Sequence, residues 1–460
     1  MPKFGYSMAV VLALAAPAWA SYPPPVVSDG YPGAVGYAMP PDMLPPIGGF
    51  PTGPMVPPTP RWYGPPSASL PSPVWDPSVL AADPCGFAFD PCFPNQRGGA
   101  PRTQYEHWVR GDWLYWNFRN TPVPAMIATG DPNLANPAVP GGGNVTALGA
   151  GARDLGAFNG ARVTFGRWFD EDGELGAELS GFIFGREGSA TFFTDATTPV
   201  VAAPVIGANG VAAVYNFAIP GAFTGGLGIR TATQLFGAEA NLLHRWRGDG
   251  RVSVDGLFGY RYLQLNERVE LLGRSLATGE MGTFNGAVLP QGVTVLTTDA
   301  FRGRTEFHGA QIGARVEMRY DWFTATAFGK TGAGVNLQVL RVGGNTQATG
   351  FGVTQIANGG VRALVSNSGR DTNTEFSMIN ETGLELGFQV TRKVSLRVGY
   401  NVLFWSELQR PGNVIDPVVN FAQVPIDPTF NPAARGRPVN ALRSSDFLAH
   451  GLVVGVVLDY

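Results

Sequence analysis

Charged residues are scarce in this sequence: 15% of 460 residues, against roughly 25% in an ordinary soluble domain. Their signs nearly balance, with a formal net charge of −3, which excludes the basic surface of a nucleic-acid binder. Disorder of the whole chain is excluded as well. It needs low hydrophobicity and high net charge, whereas 44% of the residues are hydrophobic and 11% aromatic. Cysteine is limited to Cys85 and Cys92, too few for a thiolate metal centre with no further ligands nearby. Histidine is limited to His107, His244, His308 and His450. HExxH, GxSxG and Walker-type signatures are missing, so the sequence implies no enzyme, no cofactor and no metal site. After residue 20 there is no run of about twenty apolar residues, which excludes a transmembrane helix. A closed barrel is then the remaining way to cross a bilayer, because every backbone polar group in lipid must be paired internally.

What the sequence does have begins with an export signal. Lys3 precedes the apolar stretch Met8–Ala16, and Ala18-Trp19-Ala20 is a small-x-small cleavage site, so residues 1–20 read as a signal peptide. Residues 21–104 form a proline-rich arm, with stretches such as Tyr22-Pro23-Pro24-Pro25 and Pro57-Pro58-Thr59-Pro60 up to about residue 84. This composition cannot build a core and favours extended polyproline II. The arm is predicted to be a periplasmic spacer, or a docking arm for cell wall or a periplasmic protein through residues 21–84. Cys85 and Cys92 sit in the repeated contexts Asp83-Pro84-Cys85 and Asp90-Pro91-Cys92. In an exported chain they read as a disulfide closing a short loop.

From Trp108 onward, apolar and polar residues alternate with the period of a strand. Phe236, Ala238, Ala240 and Leu242 oppose Gly237, Glu239, Asn241 and Arg245. Ala310, Ile312, Ala314, Val316 and Met318 oppose Gln311, Gly313, Arg315, Glu317 and Arg319. Similar runs predict about ten antiparallel strands, near 108–118, 158–169, 174–186, 229–246, 251–267, 304–320, 322–341, 374–390, 394–405 and 447–460. Their connections alternate between short and long, the asymmetry of outer-membrane barrels, with short periplasmic turns and long external loops. Hairpins within the long links, around Val211–Ile219 or Gln347–Leu364, leave twelve or fourteen strands open. Aromatic residues cluster at both strand ends. Trp168, Phe169, Trp246, Tyr320 and Trp322 lie beside short turns, and Trp116, Phe118, Phe182, Phe184, Phe404 and Trp405 at the other end. These clusters are expected to form two interfacial belts. Leu452, Val454, Val456, Leu458 and Tyr460 alternate to a terminal aromatic, the form of signal read by the outer-membrane barrel assembly machinery. The predicted partners are therefore outer-membrane lipid and that machinery. The fold class is an all-β transmembrane up-and-down barrel over residues 105–460, located in the bacterial cell outer membrane.

The segments Trp108–Phe118, Thr233–Leu242, Phe258–Leu265, Phe307–Arg315 and Asn380–Phe388, with Val398–Trp405 and Val453–Tyr460, together resemble the outer-membrane porin family described from planctomycetes as beta-barrel porin seven. The resemblance covers about residue 105 to the end. It implies an outer-membrane location and a pore, and it carries over no functional residue.

The strand faces opposite the apolar one define the predicted lumen: Glu239, Asp255, Arg261, Arg315, Glu317, Arg319, Lys330, Glu375, Glu381, Glu385 and Arg397. In a water-filled pore such charges set ion selectivity; in a narrow barrel they pair across a filled interior. Two functions follow. One is a narrow pore for ions or small solutes. The other is a non-conducting structural or adhesive barrel that anchors envelope layers through its proline-rich arm. His308 beside Glu306 or Asp299 is the best arrangement for catalysis that the sequence offers, and it is a poor one.

Overall fold

The computed structural model describes residues 106–460 apart from 135–136, 142–144, 154, 247–250, 280–281, 285–286 and 441–442. The signal peptide, proline-rich arm and Cys85–Cys92 disulfide expected from the sequence, and residues 247–250, lie outside the described residues. No helix among the described residues is long and apolar enough to cross a membrane.

Ten strands close into one antiparallel ring. They are β1 (His107–Phe118), β2 (Ala157–Trp168), β3 (Leu175–Phe184), β4 (Phe223–Trp246), β5 (Val252–Ala277), β6 (Thr294–Tyr320), β7 (Phe323–Gly350), β8 (Gly369–Gln389), β9 (Val394–Gln409) and β10 (Ser444–Asp459). Each pairs with its neighbour in sequence. β10 closes on β1 from Trp108↔Asp459 to Phe118↔Ala449, so neither the first nor the last strand is left with an open edge. The ends meet through backbone bonds: Tyr460 N donates to the His107 carbonyl at 2.8 Å, and His107 N donates to that of Tyr460 at 3.3 Å.

The short turns are built by their sequence. Asp170 caps the β2–β3 turn, where its side chain accepts from Glu174 N at 2.9 Å and Gly173 adopts φ 63°, a conformation glycine adopts without a Cβ penalty. Between β6 and β7 only Asp321 and Trp322 separate the paired Tyr320 and Phe323.

Away from these turns, strands β4 to β8 run well beyond the 9–11 residues that hydrocarbon requires. β6 has 27 residues and β7 has 28. The projecting ends are prolonged by segments drawn from the long links. Glu187–Thr194 continues the line of β3 along the upper part of β4, and Val353–Asn358 folds back on β7. The hairpin Val201–Gly207/Ala212–Ala218 forms a separate small sheet with Ile127–Thr129 and Thr146–Leu148. The extra hairpins foreseen in the links therefore exist, but they add to the projection and its cap, and the ring keeps ten strands.

The cap has its own apolar core. Met126, Ile127, Val201, Tyr215, Phe217, Val361, Leu364, Val414 and Val424 pack against the inward faces of the projecting strands, among them Ile229, Leu271, Phe301 and Val342. Burial of this kind contributes about 25 cal/mol per Å² of apolar surface. The cap is therefore a packed body set over the long-loop end of the barrel.

Candidate functional site

The interior is filled in layers, and β5 shows the order. Its inward residues run from Asp255 through Arg261, Leu263, Leu265 and Glu267 to Val269 and Leu271. Odd positions face in and even positions face out, so the sign of each layer is set by residues two apart in sequence.

The charged layer lies toward the short-turn side. Arg261 Nη2 donates to Glu381 at 2.5 Å and lies 3.8 Å from Glu239. Lys330 Nζ donates to Glu239 at 2.7 Å and stands 3.4 Å from Glu381. Arg162 reaches the other Glu381 oxygen at 3.5 Å. Arg110 holds Glu385 through two parallel bonds of 2.8 and 2.9 Å and also donates to Asp112 at 2.7 Å. Arg397 lies 3.5 Å from Glu317 and 3.8 Å from Glu385. Nearer the mouth, Asp255 accepts from Arg245 at 2.6 Å and from Arg315 at 3.1 Å, and Arg315 also donates to Glu178. Both carboxylates at the centre are sealed from solvent, with the Glu381 and Glu385 side chains each 3% exposed. The cavity between Arg162, Glu239, Arg261 and Glu381 amounts to about 10 Å³, room for roughly one water.

Most of the residues assigned to the lumen from sequence thus meet in one network: Glu239, Asp255, Arg261, Arg315, Glu317, Lys330, Glu381, Glu385 and Arg397. Two sit apart. Arg319 is half exposed at the mouth, where it donates to Glu317 at 2.7 Å. Glu375 is exposed on the projecting part of β8, accepts from Asn373 at 3.1 Å and stands outside the network; its register is inward, but the barrel wall has already opened into the rim there. The sequence reading missed Arg110, Asp112, Arg162, Glu178 and Arg245 as members. Arg110 and Asp112 alternate with Trp113 and Tyr115, a signal that was present but unused.

Above the charges lies an apolar layer inside the barrel. Leu114, Trp116, Phe118, Phe158, Phe184, Leu235, Leu263, Phe307, Ile379, Trp405 and Phe447 form one buried cluster, with Phe182 packed against it. This corrects the proposed second aromatic belt: Trp116, Phe118, Phe182, Phe184 and Trp405 point inward, and of that group only Phe404 takes the outward register. Trp168 is likewise buried within, beside Leu243 and Leu257. Phe169, Trp246, Tyr320 and Trp322 are each more than half exposed and face out. The outer belt on the long-loop side is built instead by tyrosine and histidine. The Tyr260 hydroxyl lies 2.6 Å from His308 Nδ1, and that of Tyr400 lies 2.5 Å from His450 Nδ1. His308 is therefore occupied on the outer wall, while Glu306 accepts from Tyr262 at 3.0 Å and from Arg304.

The cap is pinned by two buried arginines. Arg410 donates to Glu267 and to the carbonyls of Arg119 and Asn120. Arg362 donates to the carbonyls of Pro417 and Pro204; its burial in the loop lowers its pKa to about 10. The segment carrying Arg362 is itself held by Asp299, which accepts from the backbone N–H of Val361, Arg362 and Ala363 at 2.9, 2.9 and 2.6 Å. Among the described residues no group of three His, Cys, Asp or Glu is placed to hold a metal.

At the C-terminus, Leu452, Val454 and Val456 are each more than 40% exposed, and Leu458 shares their register. They lie on the outer wall with Tyr460 at the short-turn end.

Solved structures with a related outline are outer-membrane barrels. The outer membrane protease OmpT from Escherichia coli matches with a TM-score of 0.34 at 10% identity, covering 78% of this chain and 98% of that one. A FadL homologue from Pseudomonas aeruginosa matches with a TM-score of 0.20 at 8% identity, covering 77% and 90%. A mutant of the monoaromatic hydrocarbon channel TodX gives 0.18 at 8% identity, covering 78% and 91%. Likeness at this level carries no argument about activity. No curated protein matches the chain. The family model described as "Putative beta barrel porin-7" matches residues 108–460, the whole of the closed ring and its cap. The chain belongs to that family of outer-membrane β-barrels.

Proposed function

We propose that this barrel is closed to solutes in its resting form and serves as a fixed element of the outer envelope. The observation that carries the proposal is the sealed cross-section. The Arg261–Glu381 pair and its neighbours fill the lower lumen, and the cluster around Trp116, Phe307 and Trp405 fills the upper lumen. Ten strands enclose little more than the eight whose interior side chains fill completely. Arg261 is 2% exposed, in keeping with a lumen filled at its level. β1 starts at His107 beside Tyr460, so the chain preceding it joins the barrel on the short-turn side. With the long loops outside, the proline-rich residues 21–84 belong to the periplasm, in position to tether cell wall or a periplasmic protein. On this reading the protein is not an enzyme.

A narrow pore is the second reading. It is favoured by the small cavity amid paired charges and by the family's description as a porin, and it requires both layers to part. Planar-bilayer recording of folded full-length protein separates the two. Silence is expected; discrete channels of reproducible conductance would reject the closed barrel. Deleting residues 21–84 is expected to weaken envelope integrity while leaving the barrel folded.

A further inference from the structure

The outer wall of β7 and β8 carries polar side chains in the middle of its apolar band. Thr331 of β7 lies directly opposite Asn380 of β8, and Thr382 follows on the same face. Their outward direction follows from their neighbours, since Lys330 and Glu381 meet inside the lumen. On β8 the exposed Phe376 and Met378 precede them and the exposed Leu384 and Leu386 follow. The registers fix the depth. Thr331 lies four residues below Val335, which stands opposite His308 of the tyrosine–histidine belt, and eight above Phe323 at the short turn. Four residues span about 13 Å of strand, so these side chains lie inside the hydrocarbon, between the two belts.

Their hydrogen bonding is incomplete. Thr331 Oγ1 donates to Asn380 Oδ1 at 2.9 Å, which uses one half of the amide. The Asn380 side-chain N–H groups and the Thr382 hydroxyl have no partner among the described residues, and hydrocarbon offers none. Turning the amide over only exchanges an unpaired donor for an unpaired acceptor. An amide holds both a donor and an acceptor, so a second amide at the same depth completes it. Two copies of one barrel insert in the same direction and to the same depth. A two-fold axis along the membrane normal therefore brings Asn380 of one copy to Asn380 of the other. The neighbouring outward residues Ala327, Gly329 and Ala333 are small and leave the two walls free to approach. Amide and hydroxyl bonds supply association in lipid, where burial of apolar surface gives no gain. We propose that the β7–β8 wall is the contact of a two-fold dimer of this chain, joined within the membrane by paired Asn380 amides. The contact lies outside the barrel, so it goes beyond the proposed function and holds for a closed or a conducting lumen alike.

The test weighs folded full-length protein by sedimentation equilibrium in density-matched neutral detergent. Wild type is expected to be a dimer that dissociates on dilution, and T331V/N380L to dimerise at least about tenfold more weakly. Both substitutions suit hydrocarbon, so the variant is expected to fold and, as a monomer, to melt no lower than wild type. In liposomes, with Cys85 and Cys92 replaced by serine, Ala333→Cys is expected to give a dimer with a short thiol cross-linker. Val163→Cys, exposed on the outer wall of β2 five strands round the ring, is expected to give none. Wild type that stays monomeric at every concentration would overturn the proposal, as would a variant that dimerises as tightly as wild type. A Val163→Cys cross-link as strong as that of Ala333→Cys would also overturn it, and so would a trimer, which a two-fold contact cannot close.

Discussion

Arg410 and Glu267 meet 143 residues apart in a two-pronged ion pair, with Arg410 Nη2 2.6 Å and Nε 3.0 Å from the two carboxylate oxygens and each side chain only 2% exposed. Glu267 belongs to the barrel wall and Arg410 to the segment that enters the cap, so the pair joins barrel and cap. Removing one partner of a buried pair leaves an uncompensated charge and costs about 3–5 kcal/mol. Arg410→Ala is expected to loosen the cap before the barrel. Limited proteolysis should cleave residues 411–440 in the variant while the ring still migrates as folded protein in unheated gels. A cap as resistant as wild type would show that the apolar core alone holds it.

The two lumen layers seal independently. In R261A/E381A both members of the central pair are removed together; Lys330 keeps Glu239, while Arg162 loses its contact with Glu381. The double variant is expected to remain silent in bilayer recordings, because the layer around Trp116, Phe307 and Trp405 is untouched. Steady ion current through it would show that the charges alone close the barrel.

Trp405 is 0% exposed and donates its indole N–H to Asn336 at 2.9 Å. Trp405→Ala opens a cavity and leaves that amide oxygen without its donor. The expected loss is about 3–5 kcal/mol, read as a lower midpoint in denaturant-induced unfolding from detergent or lipid. Trp405→Phe, which keeps most of the ring, should lose less.

Gly412 shows how closely the cap approaches the chain after β1. A Cβ built there would stand 1.7 Å from the Pro122 carbonyl oxygen, a backbone atom that cannot swing aside. Gly412→Ala is expected to cost about 1–3 kcal/mol by forcing the two segments apart. The check is faster hydrogen exchange in the cap at unchanged strand protection in the lower barrel.

The outer wall of β10 tests the membrane assignment itself. Val454 is 44% exposed and lies between Leu452 and Val456 on the same face. Val454→Arg is expected to destabilise the barrel by about 2–4 kcal/mol if that position lies near the bilayer midplane, measured by reversible unfolding in liposomes. A neutral result would place this face in contact with something other than lipid.

Alternation along the chain was enough to mark every strand of the ring, because a period of two is a local property and each strand carries its own copy. It also separated the two faces of β4 and β6 correctly: Phe236, Leu242, Ile312 and Met318 face out, and Glu239 and Arg315 face in. It did not reveal the apolar layer inside. Trp116 and Trp405 sit on the inward register of their strands, yet read as a belt because an aromatic near a strand end is compatible with either face. Only closure of the ring decides which face surrounds the other.

The sequence by itself determined the strand period, the short turns at Asp170 and Asp321 and the lipid-facing terminal strand, all set within a few residues of chain. The tertiary structure alone decided that Arg261 meets Glu381, that the links around 200–220, 359–368 and 410–430 fold into one cap, and that Arg268, Arg302, Arg341 and Arg370 share a rank. Those relationships depend on register between strands and on packing between distant links, and neither leaves a local trace in the order of residues.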